Sequence, residues 1–286
     1  MEDLKYWIWL SKINLNPERL RNCLEYIAVY EIWNSNELIL NNYFTTKEVS
    51  RILDNNYKKN LENHLSFIEK YKIRILTIED DDFPKKFKDI KNMPIILYAL
   101  GNIDLLKHKN IAIVGSRECT DYGKITSTAF SYLLAKNDFV ITSGLAKGID
   151  SAAHNGCMLG GGKTIAVVGT GLDIIYPKEN KELMNNIIKN NGLIISEFPL
   201  GTKPCKLNFP KRNRIISGLS DGVLVIEASK KSGALITADF ALEHGKDVYA
   251  VPGNITSNTS IGTNELIKDG AKMVTNIQDI LEDFYY

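Results

Sequence analysis

The residues best suited to chemistry lie just after a series of short apolar runs. IAIVG (111–115) leads into Ser116 and Arg117, and FVIT (139–142) leads into SGLAKGID (143–150). TIAVV (164–168) leads into GTGLD (169–173), and LIIS (193–196) into Glu197, Phe198, Pro199 and then Gly201. VLVIE (223–227) leads into ASKKSGALIT (228–237). Each loop places glycine where a helix should begin, and glycine permits tight turns and close approach of a ligand to the backbone. A helix N-terminus adds free N–H groups and a partial positive charge, a combination that suits phosphate. The same chemistry after several successive strands is a much stronger signal than one such loop. Gly115, Ser116, Arg117, Ser143, Gly144, Lys147 and Gly148 are therefore candidate ligands. Arg117 could grip a phosphate bidentately or pair with a carboxylate on the surface, and its position alone does not separate the two.

The sharpest local feature is KPCKLNFPKRNR (203–214). It carries Lys203, Lys206, Lys211, Arg212 and Arg214 with no acidic residue, and Phe209 is interleaved. It reads as a basic, proline-containing loop. Cationic groups that follow a backbone, plus an aromatic on which a base can stack, are what sequence-independent single-strand binding requires, and that is the binding expected here.

Catalytic groups are harder to assemble. Asp150, Glu197 and Glu227 lie near strand ends, and His154 follows Asp150 by four residues, on one face of a helix. An Asp–His pair could do acid–base work. The favoured reading is that Asp150 caps the helix start and His154 packs beneath it. His64, His108 and His244 form no metal-ligand spacing, so no metal site and no metal-dependent nuclease are expected. GSRECTDYG (115–123) stands where a dinucleotide fingerprint would, and does not match it. GCMLGGGKT (156–164) echoes a P-loop, but its Lys163 and Thr164 precede a strand instead of opening a helix.

The elements that must position these loops follow from the pattern. From residue 110 apolar strands alternate with helical segments near 123–136, 149–159, 179–190 and 234–244, as in an α/β protein with a mostly parallel sheet covered on both faces. A last strand is expected at MVT (273–275), and NIQDILEDFYY closes the chain as a short helix with no further domain expected. Residues 66–106 bridge into this region with two strands, one in KIRILTIEDDDFPKKF (72–87) and one after Pro94. Residues 1–65 carry apolar side chains at helical spacing, such as Leu20, Leu24 and Ile27, and read as a small helical N-terminal domain. Trp7, Trp9 and Trp33 all fall there and are expected in its core. The remainder, 66–286, reads as the extended α/β domain.

The net charge is +1, so any nucleic-acid role must rest on local patches. The 4 cysteines form no CxxC pair, which argues against zinc and fits a reducing compartment. The N-terminus lacks the basic and long apolar regions of a signal peptide. No apolar run approaches the length of about 18 residues that suggests a membrane span. A cytoplasmic protein is expected.

Taken in order, IAIVGSR, SGLAKGIDSAAH, TIAVVGTGLDIIYPKEN, SEFPLGT and NFPKRNRIISGLSDGVLVIEASKKSGALITADFALEHGKDVYAVPG resemble the DNA-processing protein A (DprA/Smf) family, from about residue 111 to about 275. The lead-in DDDFPKKFKDIKNMPIILYALGN resembles it too. The resemblance implies an extended Rossmann-like fold that binds single-stranded DNA, loads a RecA-type recombinase during natural transformation and acts as a homodimer, with no cofactor and no substrate turnover. It implies a DNA pocket built from Arg117, the loop Ser143–Asp150, and Phe209, Pro210, Arg212, Asn213 and Arg214, with Lys211 among the cations. Lys147 stands where arginine is common in the family, and Asn208 where histidine is. The alternative is a small-nucleotide sensor or hydrolase. Related folds of that kind carry a PGGxGTxxE loop, whereas the corresponding region here reads ASKKSGALITADF.

Overall fold

The structure, a computed structural model, describes residues 4–285. Six helices come first: α1 (Leu4–Ile13), α2 (Pro17–Leu24), α3 (Val29–Asn34), α4 (Glu37–Leu40), α5 (Thr46–Leu53) and α6 (Leu61–Lys70). Their starts follow from capping chemistry. Asn16 accepts from the Arg19 amide ahead of Pro17 at α2, and Thr45 and Glu48 form a reciprocal capping box at α5.

Two strands follow, β1 (Arg74–Thr77) and β2 (Ile96–Gly101). The alternating region then runs β3 (Asn110–Val114), α7 (Asp121–Lys136), β4 (Val140–Ser143), α8 (Ile149–Leu159), β5 (Thr164–Val167) and α9 (Lys181–Lys189). It continues with β6 (Leu193–Ser196), α10 (Asn208–Leu219), β7 (Gly222–Val225), α11 (Gly233–Glu243) and β8 (Asp247–Ala250). It ends with α12 (Ile261–Lys268), β9 (Lys272–Met273) and α13 (Gln278–Tyr285).

The strands form one sheet in the order β1-β2-β6-β5-β4-β3-β7-β8-β9. The neighbours from β6 to β9 pair in parallel, while β2 runs antiparallel to both β1 and β6. The mostly parallel α/β sheet matches the expectation. Two segments differ from it. The stretch 203–214 is not wholly a loop, because α10 begins at Asn208, and Pro210 is tolerated since the first turn has no N–H partners to lose. The pattern also gave no sign of α12.

Side chains alternate across the sheet with the period of two that strands impose. Ala112 and Val114 pack with α10 and α11, whereas Ile111 and Ile113 pack with α7, α8 and the final helix. A third cluster joins the N-terminal helices to the sheet, since Trp7, Trp9 and Ile13 share it with Ile96, Tyr98, Ala166 and Ile194. Trp7 and Trp9 are buried as expected, and Trp33 meets Trp9 edge-on at 5.0 Å. Helix α6 runs across residue 65, and the Ser11 and Tyr98 hydroxyls lie 2.7 Å apart, so the helical region is bonded to β2 of the sheet.

His154 is buried without a charge partner. Its Nδ1 meets the Thr164 hydroxyl at 2.7 Å, and burial pushes its pKa down to about 3. A folded-state value below the unfolded one gives stability that is complete above pH 6.5 and is lost as pH falls through that window. Burial shifts His244 the same way, to about 4. Urea unfolding should lose stability on the order of 1 kcal/mol or more between pH 6.5 and 5 through His154 alone. His154→Gln should flatten that slope, and an identical slope would assign the acid sensitivity to other groups.

Candidate functional site

From β3 the chain steps outward through β4, β5 and β6, then crosses back through α10 to place β7 on the other side of β3. The strand order therefore reverses between β3 and β7, where open α/β sheets bind ligands beyond their carboxyl ends. A cavity of about 570 Å³ opens there. One wall is the loop Gly115–Glu118, another is the face of α10 carrying Phe209, Arg212 and Asn213, and a third is the start of α11 at Ser232–Ala234.

Arg212 holds the floor together. It is 4% exposed. Its Nη1 donates to the Gly144 carbonyl at 2.6 Å and to the Val167 carbonyl, tying α10 to the ends of β4 and β5. Its Nε donates to Asn213 Oδ1, and Asn213 Nδ2 donates to the Gly233 carbonyl at the start of α11. Burial lowers the guanidinium pKa to about 10 while Asp150 opposes the shift, so Arg212 stays cationic at neutral pH.

Asp150 faces it. The Asp150 carboxylate accepts from the Gly144 and Ala146 amides at 3.1 and 3.3 Å. Burial raises its pKa, and the Arg212 charge acts in the opposite sense. The expected roles of this pair of neighbours change accordingly. Asp150 does not cap its own helix but reaches back to shape the loop before it. His154 does pack in the core, with no bond to Asp150, so the two form no acid–base couple.

Gly148 lets two loops meet. Its φ is +78°, and a Cβ there would sit 2.4 Å from the Ser116 carbonyl oxygen. Ser116 in turn accepts from the Ile149 amide through that carbonyl, and its Oγ turns back onto Glu118. Behind the loop, the buried Glu227 carboxylate accepts from the Thr120 amide and hydroxyl at 2.9 and 2.6 Å.

The mouth of the cavity is aromatic and cationic. The Arg117 guanidinium lies over the Phe209 ring at 5.2 Å, and Tyr176 lies against the same ring at 5.4 Å. Arg117 is exposed and makes no ion pair among the described residues, so of its two readings the surface salt bridge is not the one adopted. Phe209 is the half-buried middle of this stack. The surfaces open to a base are Arg117 and Tyr176, which is 40% exposed. Lys206 also lines the mouth.

The structure does not bring all the candidate residues into this cavity. Gly115, Ser116, Arg117, Phe209, Arg212 and Asn213 line it, and Gly144 and Gly148 lie directly behind the lining. Ser143 is buried in the sheet, where its hydroxyl donates to the Ile113 carbonyl at 2.6 Å. Lys147 points outward to Glu179 at 2.5 Å. Lys211 turns to Asn14 and Glu197, and Arg214 forms a buried pair with Glu197. Neither Arg214 nor Lys211 lines this cavity: both lie on the face of α10 that meets Glu197. Sequence reasoning missed Tyr176 and Glu118, although both stand inside quoted motifs, in IIYPKEN and GSRECTDYG.

The DNA recombination-mediator protein A family profile matches residues 74–285. The chain belongs to this family. It is 48% identical over 224 residues to the DNA processing protein DprA of Streptococcus pneumoniae, across 78% of each chain. The X-ray structure of that species' DprA superposes with a TM-score of 0.84 at 40% identity, covering 99% of this chain and 98% of the other. DNA processing protein A of Helicobacter pylori, solved for its single-stranded DNA binding mode, gives a TM-score of 0.67 at 36% identity, covering 74% and 95% of the two chains.

Gly148→Ala tests the loop packing. A side chain at this φ is strained, and the Ser116 carbonyl must move to admit it. The variant should be less stable by at least about 2 kcal/mol in urea unfolding. Wild-type stability would show that the loops can part freely.

Proposed function

We propose that the chain binds single-stranded DNA in this cavity, tolerating sequence along most of the strand, and hands it to a RecA-type recombinase during DNA uptake and recombination. The observation that carries the reading is the mouth itself. A guanidinium with no ion pair among the described residues lies over an aromatic ring above a buried second arginine, at the sheet's switch point. Such a site offers charge to phosphates and flat surface to bases. The H. pylori relative, solved for its single-stranded DNA binding mode, supports the same ligand class. The work is positioning and not turnover, with no cofactor or metal needed. Asp150 is engaged by backbone amides and His154 is sequestered, which leaves neither free as a general base. A homodimer acting in the cytoplasm completes the proposal. No helix among the described residues is long and apolar enough to cross a membrane.

Fluorescence anisotropy with single-stranded and duplex oligonucleotides across a salt series is the test. Affinity for the single strand should fall steeply with salt, because phosphate contacts release counterions. Arg117→Ala should weaken binding about tenfold and reduce the salt slope by about one. Arg212→Ala should abolish binding, since it also leaves Asp150 buried without its partner. Unchanged affinity in both variants rules the cavity out as the site.

The cavity's volume also falls within the small-ligand range, which favours a mononucleotide as the second reading. A thermal shift produced by mononucleotides and not by oligonucleotides would select it.

A further inference from the structure

We infer that Glu118 reads a base edge at the mouth of the cavity and gives the site a preference for guanine at one nucleotide position. The inference rests on the single-strand reading above and refines it.

Two carboxylates line a cavity that otherwise offers Arg117, Lys206 and Arg212. Asp150 is already engaged by the Gly144 and Ala146 amides and faces Arg212. The Glu118 carboxylate is different. It is exposed and makes no hydrogen bond or ion pair among the described residues. Its neighbour Arg117 does not pair with it, because that guanidinium lies over Phe209. Glu118 is nevertheless fixed at the backbone. The Ser116 hydroxyl donates to its carbonyl at 3.0 Å and accepts from its amide at 3.2 Å. A free acceptor-only group thus extends from a fixed point of the backbone on the rim.

A sugar–phosphate backbone repels a carboxylate and has no donor to give it. The donors of a DNA single strand lie on its base edges. Thymine offers one N–H, adenine and cytosine one amino group each. Guanine alone presents an N1–H and an amino group side by side, which match the two oxygens of a carboxylate. Paired, charge-assisted hydrogen bonds of this kind are stronger and more directional than single ones. Phosphate contacts would still bind any strand, while this one contact would grade strands by base.

The test uses the full chain and fluorescent oligothymidine with guanine at spaced positions. Matched strands carry adenine or hypoxanthine there, hypoxanthine lacking the amino group. Guanine should tighten binding about tenfold over thymine and over hypoxanthine, each of which offers the carboxylate a single N–H. Glu118→Ala should erase that difference, so that guanine and thymine strands bind alike. Equal wild-type affinity for all strands would overturn the inference and leave the single-strand reading intact. So would a Glu118→Ala variant that raises affinity for every strand by one factor, since Glu118 would then only repel phosphate. Absence of wild-type binding to any single strand would overturn both.

Discussion

The buried guanidinium of Arg212 is the constraint on which the site depends. A cation out of water is strongly unfavourable unless it is paired and hydrogen-bonded. Arg212 meets that demand with the carbonyls of Gly144 and Val167, the side chain of Asn213 and the charge of Asp150. Each partner belongs to a different segment. Satisfying one charge therefore draws the ends of β4 and β5, the first turns of α8 and the start of α11 around α10. The glycines make this possible: a Cβ at Gly144 would sit 2.5 Å from the Arg212 guanidinium.

Helical periodicity then divides the basic string between two jobs. Phe209, Arg212, Asn213 and Ile216 fall at i, i+3, i+4 and i+7, and all four line the cavity. Lys211 and Arg214 are three apart on another face, where Glu197 takes both. Lys211 also reaches Asn14, in the turn between α1 and α2. The same stretch thus builds the ligand cavity on one side and fastens the N-terminal helices on the other. With a net charge of +1, the chain concentrates its field by placement and not by excess.

This division explains what was legible in the sequence. The strands could be read because buried parallel strands are continuous apolar runs, and IAIVG, TIAVV and LIIS all fall within a residue or so of β3, β5 and β6. The loops that follow them could be read because glycine marks where backbones approach. The direction of the side chains could not. Pro210 and five cations read as a loop, and in a loop every cation is free to face the ligand. Once the stretch is a helix, only every third or fourth residue can. Asp150 was misassigned for a related reason. Its position invited a cap, but Gly148 starts the helix, and the carboxylate is drawn backward by the loop amides and Arg212. The packing of the N-terminal helices on Tyr98 and Ala166 is a long-range contact that no local pattern encodes.

The fold by itself would suit a dinucleotide, so the reason it should take a strand lies in particular side chains. In a dinucleotide site the pyrophosphate rests on the N-terminus of the helix after the first strand of the switch. That helix here is α7, and the protein's own Glu227 carboxylate holds the position. It accepts from the Thr120 amide and hydroxyl, while Thr120 Oγ1 caps the Gly123 amide. A Cβ on Gly123 would lie 2.4 Å from Glu227 Oε2, so the carboxylate sits directly against the first turn. A second anion cannot share that place without repulsion between buried like charges. On the proposed reading, phosphate would fall to the cations on the other side of the loop, Arg117 at the rim and Arg212 beneath. These are side-chain forks and not an amide nest, and they face an open mouth through which a chain can pass.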